Sequence, residues 1–496
     1  MSFIDRLIMR ISPTWALRRI RAKRSALMLR GYEASSGGRR TEGWVTDGGG
    51  DADSLSYEIA RLRDISRELR RNNGWAKRGL RVVVNNTVGW GIRAKAMGKE
   101  QTAKRANRIW RRWSETTKCD FDGKLNFFGI QSLAMKTIVE SGEVLIIRRT
   151  PPKGSNLPVP VQIRVAEPDL IDTSRNMIAE NGNRVIGGIE TDEYGRRVAY
   201  WLFPRHPGSR LWGSSVTSVR IESDDIIHVY EVDRPGQSRG IPWLSTIIPT
   251  IKDLDDFEDA ELMKQKIAAC FGAFVEDIDG ESNSLGIVGG ENNMVESLEP
   301  GTVSYLSPGQ SVKFATPPTV VQSNFTDGKL RKIASGIGVT YEDLTGDYSK
   351  VNFSSARMAR IAHYAEVHNW RWNMIIPQLC DRVWDWVMDM AVDLALIQKN
   401  EGAKWSPPPM PMLDPDKEGI AYTRLIRSGA KTLFQTIREM GDDPMEHLDE
   451  IAEVNAELDR RGITLDSDPR STTTSGQIQS TKSEPKQNNL DNQVTP

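Results

Sequence analysis

The side chains in this 496-residue sequence that could do chemistry are few and poorly spaced for it. Five histidines, His206, His228, His363, His368 and His447, are scattered along the chain. His363 and His368 are five apart and miss the i,i+4 spacing that sets two metal ligands on one helical face. His228 sits in a strand pattern among apolar neighbours and reads as a satisfied sheet residue. Cys119, Cys270 and Cys380 are odd in number and far apart, with no CxxC, so isolated thiols are expected rather than a metal site. A phosphate-cradling loop needs GxxxxGK[ST]. The nearest string, Gly429 to Thr432, lacks the glycine beside Lys431 and follows a helix. Ser335 to Gly338 lacks the third glycine of a dinucleotide loop, and no GxSxG occurs. The expectation is a protein that is not an enzyme, with no cofactor and no metal.

Charge says more. There are 66 basic and 66 acidic residues, a net charge of zero, whereas proteins that hold DNA by neutralising phosphates are usually strongly basic. The charges are segregated, however. Residues 1–30 carry eight cations (Arg6, Arg10, Arg18, Arg19, Arg21, Lys23, Arg24, Arg30) against the single acid Asp5. Between positions 253 and 261, six of nine residues are acidic: Asp253, Asp255, Asp256, Glu258, Asp259 and Glu261. On a helix such neighbours repel at i,i+3 and i,i+4, and only the first of them recovers a few tenths of a kcal/mol or so from the helix N-terminus. Two readings follow: a solvated face, or a surface that repels phosphates.

The elements that must position these residues read as a mixture of helix and sheet. With 38% hydrophobic and 27% charged residues, the chain is expected to be soluble and globular, with two to four domains. Its apolar runs, such as Val144 to Ile147, are far shorter than the roughly 18 residues of a membrane span. Asp5 and Arg6 interrupt any secretory core, so a cytoplasmic protein is the default. Residues 1–30 read as a basic amphipathic helix broken at Pro13, followed by a glycine-rich joint. A basic helix is expected from Ser54 to Gly79, then a strand over Leu80–Val84, then helices over Ala103–Trp113 and Phe128–Glu140. From Glu143 to about Val232 period-two alternation predicts a largely antiparallel sheet. A helix from Pro249 to Phe271 precedes a stretch rich in Gly and Pro with strand signals at Thr302–Leu306 and Val312–Phe314. Helices resume near Phe325. The longest helical pattern runs from Ser354 to Ile397, bent at Pro377, and helices return from Asp414 to Arg461. Ser467 to Pro496 have almost no aliphatics and are expected to be disordered.

Several strings, taken in order, resemble the lambda-type family of tailed-bacteriophage portal proteins. They are Arg70–Ala76 (RRNNGWA) with Asn85–Gly89 (NNTVG), and Trp110–Trp113 (WRRW) with Cys119-Asp120. Ser141–Val144 (SGEV), Ile227–Glu231 (IHVYE) and Gly236–Gly240 (GQSRG) follow, and then Gly338–Leu344 (GVTYEDL) and Tyr348–Arg357 (YSKVNFSSAR). The resemblance covers about residues 60–395 and implies an α+β, portal-type multidomain subunit in a ring, commonly of twelve. Mapped onto this chain, after a basic N-terminal arm (1–29) that carries little family signal, it implies a mixed α/β wing (30–245), a stem helix (246–271) and a clip (272–315). A second stem and wing part (316–395) holds a channel loop (345–352) and the long helix, and a helical crown (400–465) follows; the tail (466–496), expected from its composition to be disordered, carries little family signal.

The family further implies a channel for double-stranded DNA at one capsid vertex, used in packaging and ejection. Implied partners are the terminase large subunit, head-completion or adaptor proteins, and the major capsid and scaffold proteins, with no membrane. The location is the virion, after assembly in the host cytoplasm. On this reading the six acids from Asp253 to Glu261 line the channel, and Asp347, Tyr348, Ser349, Lys350 and Asn352 form the loop that meets DNA. The alternative is a non-enzymatic, capsid-associated DNA-binding protein that uses its basic N-terminal helices.

Overall fold

Why residues 56–141 are mostly helical is visible in their cap residues and their buried stripe. The structure, a computed structural model, describes residues 56–152, 154–209, 217–269, 273–277, 310–314, 323–412, 414–442, 444–465, 468 and 470. Helix α1 (Ser56–Asn72) ends at Asn73, whose side chain accepts a hydrogen bond from Ala76 N and starts α2 (Gly74–Thr87). The strand expected over Leu80–Val84 is therefore the second half of a helix. Ala76, Leu80, Val83 and Val84 recur at helical spacing and are buried on one face. Packing of that stripe outweighs the β-preference of a valine run. Strand β1 (Arg93–Ala96) and helices α3 (Glu100–Ser114) and α4 (Phe127–Ser141) follow. Asn126 caps α4 by accepting from Gly129 N.

The period-two region folds as two sheets rather than one. Strands β2 (Glu143–Arg149) and β3 (Gln162–Ala166) pair antiparallel, and β2 also pairs with β9 (Ile226–Tyr230). Between them β4 (Met177–Ile178), β5 (Arg184–Ile186), β6 (Ile189–Thr191), β7 (Arg197–Leu202) and β8 (Val219–Glu222) form an antiparallel meander in chain order. The continuous apolar run of β2 has a structural cause. Val144 and Ile146 enter the main core, while Leu145 and Ile147 enter a second core with Leu170, Tyr200 and Leu202. A strand buried on both faces needs no polar alternation.

Helix α5 (Ile248–Ala269) carries the acidic run. Strands β10 (Ala273–Asp277) and β11 (Gln310–Phe314) pair antiparallel, consistent with the second of the two expected strand signals; the first, Thr302–Leu306, lies outside the described residues. Helices α6 (Ser323–Ile337), α7 (Tyr341–Thr345) and α8 (Phe353–Asn369) come next. The long helical pattern is not simply bent at Pro377. Residues Trp370–Cys380 form a π-helical segment containing Pro377, and α9 (Asp381–Asp393) continues from it. The wider winding accommodates a ring that has no N–H to donate. Strand β12 (Ala403–Ser406) pairs with β1 across more than 300 residues, a contact that no periodicity announced. Helices α10 (Pro415–Arg427), α11 (Leu433–Glu439) and α12 (Pro444–Arg461) close the described chain.

The main core is centred on an aromatic cluster. Trp110 lies 5.3 Å from Trp113, 5.2 Å from Phe127 and 4.9 Å from Trp384 between ring centroids, joining α3, α4 and α9. The basic N-terminal arm (1–29) lies outside the described residues, and so does the C-terminal tail (466–496) apart from Asp468 and Arg470.

Candidate channel surface and the buried network behind it

Helix α5 is anchored along one side by Ile251 and Leu254, both fully buried, and by Phe257, whose ring lies 4.4 Å from Phe325 of α6. That fixes where its six acids go. Asp253 is bound by Lys329 of α6 at 2.9 Å. Asp255 accepts from Asn73 Nδ2 at 3.0 Å, so the residue that caps α2 also ties α2 to α5. Asp256 pairs with Lys252 one turn earlier, and Glu261 lies 3.7 Å from Lys264. Glu258 and Asp259 are exposed and unpaired among the described residues. Partial burial and the charges of Asp255 and Asp259 raise the Glu258 pKa above its ordinary value. The run is thus a graded surface in which three acids are paired with lysines, Asp255 is held by a neutral amide, and two face solvent freely.

The loop between α7 and α8 is likewise held by its own side chains. Gly346 ends α7 in the left-handed conformation at φ 75°. Asp347 accepts from Ser349 N at 2.9 Å, and Asn352 caps α8 by accepting from Ser355 N at 2.9 Å. Tyr348 is exposed, with its hydroxyl 3.3 Å from Asp343. Lys350 reaches Asp327 of α6 at 2.9 Å. Helix α6 therefore holds both expected segments, through Lys329 toward α5 and Asp327 toward the loop, two positions apart.

Sequence reasoning missed a buried charged network. Glu143, fully buried at the start of β2, accepts from His228 Nε2 at 2.9 Å, from Arg239 Nε at 3.0 Å and from Gly240 N at 2.8 Å. Arg63 of α1 lies 3.8 Å from Glu143 and 3.1 Å from Asp169, while Arg67 also binds Asp169. Burial opposes ionisation of Glu143, but Arg239 and the hydrogen bond from His228 hold its carboxyl well below the usual range. Burial holds His228 down at about 4 against the pull of Glu143. Burial also opposes ionisation of Asp169, which Arg67 and Arg63 keep at about 2. His228 is indeed a satisfied sheet residue, and its partner is an acid 85 positions away.

Two glycines let this network close. A Cβ on Gly142, which has φ 87°, or on Gly240 would strike the backbone of the other segment. The strings SGEV, IHVYE and GQSRG are scattered in sequence and meet here. Glu167, Asp169 and His206 also come close enough to hold a metal, but Arg63 and Arg67 already occupy Asp169. Cys119 and Cys380 are buried free thiols with raised pKa, caused first by burial.

What the described residues assemble is a scaffold of helices and sheets that presents charged surfaces. Residues 37–371 match the family described as "Phage portal protein, lambda family", and the chain belongs to that family. It is 26% identical over 474 residues to a probable portal protein of Halomonas phage phiHAP-1, covering 89% of each. It is 23% identical to the portal protein of Escherichia phage N15, covering 88% of this chain and 91% of that one. Among solved structures it is similar to a chain from the neck of a native GTA particle computed with C12 symmetry. That match has a TM-score of 0.45 and 13% identity, and covers 79% of this chain and 94% of the other. Family membership makes this a phage portal protein, a component of the capsid vertex.

Proposed function

We propose that copies of this chain close into a ring, twelve as the resemblance implies, around a channel through which double-stranded DNA enters and leaves the capsid. On this reading α5 is the stem helix, β10 and β11 belong to the clip, and α10 to α12 form the crown. Asp253, Asp255, Asp256, Glu258, Asp259 and Glu261 would line the channel, with the loop residues Asp347, Tyr348, Ser349, Lys350 and Asn352 nearest the duplex.

The observation that carries the proposal is the shared anchorage on α6. It ties α5 and the loop to one helix while leaving Glu258 and Asp259 exposed and, among the described residues, unpaired. Repeated around a ring, an acidic wall repels phosphates, so DNA slides rather than adheres. With a screening length of about 8 Å at physiological salt, only acids close to the duplex contribute. The subunit carries no chemistry of its own in this account. Work is done by a separate terminase, which docks on the ring, as do head-completion proteins, with capsid and scaffold proteins around it. Negative-stain images of the purified protein test the proposal. Rings with a hole of about 20 Å or more, wide enough for the duplex and its grooves, are expected; a species that stays monomeric at high concentration would contradict it.

A further inference from the structure

Helices α10 and α12 are the least covered of the described helices of two turns or more. No residue of α10 is buried, and in α12 only Pro444 is. Both nevertheless expose aliphatics: Ile420 is 53% exposed on α10 and Val454 50% exposed on α12. An isolated helix of this length is marginal in water, and most helical stability comes from covering one face.

Their charges are opposite. On α10, Arg424 and Arg427 follow Ile420 at i+4 and i+7, on one face, and neither has an ion-pair partner among the described residues. On α12 the stretch Glu446–Asp459 holds six acids and no lysine or arginine. Glu450 and Glu453 flank Val454 there, exposed and unpaired among the described residues. Several other charges nearby are engaged within the chain: Lys417 with Asp414, Lys431 with Glu439, and Glu457 with Arg460 and Arg461.

A closed ring joins unlike faces of identical subunits, so each copy must carry both halves of a complementary pair. We propose that α12 of one copy docks on α10 of the next, Val454 against Ile420, with Glu450 and Glu453 meeting Arg424 and Arg427. The inference rests on the ring reading above and adds the pairing that closes this part of the ring. The occupant is a second copy because one chain supplies both a cationic and an anionic face, each built around an exposed aliphatic.

The test uses the full-length chain at about physiological salt, where such pairs retain part of their strength. The Arg424→Glu, Arg427→Glu variant should lower the ring fraction, read by native mass spectrometry, about threefold or more, since the lost contact recurs at every interface. Adding Glu450→Arg and Glu453→Arg to the same chain should restore it. Separately, Ile420→Cys with Val454→Cys in a Cys270→Ser background should give a ladder of covalent oligomers on oxidation. Rings that form equally well with the reversed charges, or a reversed variant that the second pair does not restore, would overturn the pairing and leave the ring reading intact. So would rings that yield no cross-linked ladder. Failure of the native chain to form rings at all would overturn the ring reading, and the pairing with it.

Discussion

Arg239 and Glu143, 96 positions apart in sequence, form a two-pronged ion pair whose side chains are 8% and 0% exposed. It locks the loop before α5 against the first strand of the central sheet, and α1 joins it through Arg63. Removing one partner of such a pair leaves an uncompensated buried charge. Arg239→Ala should therefore destabilise the protein by about 3–5 kcal/mol, measured by urea unfolding at neutral pH. Glu143→Gln should cost at least as much as Arg239→Ala, because it leaves Arg239 and Arg63 buried without their acid and turns an amide NH2 toward their donors. Equal and negligible losses would mean that the network is ornamental.

The same network sets an acid limit. The unfolded chain takes up a proton on His228 near its ordinary 6.5, whereas the folded chain holds the group neutral down to about 4. Between those values the unfolded state binds more protons, so stability falls as pH is lowered through that window. Below it the loss continues as Glu143 and Asp169, both depressed in the fold, are protonated. His228→Gln should flatten the fall between pH 6.5 and 4 and leave the lower part in place, as followed by thermal melts across pH.

Gly142 and Gly240 touch backbone to backbone, and Gly142 also holds a positive φ. Alanine at either position should cost about 1–3 kcal/mol through strain and displacement, while alanine at the open Gly182 turn should cost only its backbone strain. Unfolding midpoints compared across the three variants decide the matter.

Asn73 does two things at once: its oxygen caps α2 and its nitrogen binds Asp255. Asn73→Ala should lose about 1 kcal/mol for the cap, whereas Asn73→Asp should keep the cap but place a like charge beside Asp255. The aspartate variant should therefore recover some stability at acid pH, where the pair shares a proton, in a melt series from neutral to acid.

How much of this was legible beforehand depended on the range of the signal. Trp110 and Trp113 announce a buried helix face because their spacing is local, and they lie at the centre of the core. The acidic run and the loop are visible as strings, yet their compensation by Lys329, Asn73 and Asp327 depends on contacts from 23 to 182 positions away. Leu80–Val84 misled because a valine run favours strand by composition, and only the burial of Leu80, Val83 and Val84 on one side shows the helical period. The Glu143 network was invisible for the same reason as the β1–β12 pair: its members are far apart and individually ordinary. The family strings did mark it, since SGEV, IHVYE and GQSRG each contribute one member, Glu143, His228 and Arg239.

The central claim is that α5 and the loop from Asp347 to Asn352 face a DNA channel. A three-dimensional reconstruction of the purified ring, resolved well enough to place helices, tests it most directly. The account predicts α5 beside the central hole with Glu258 and Asp259 toward the axis and Lys350 at the narrowest level. A ring in which α5 lies on the outer wall, with the hole lined by other helices, would contradict it.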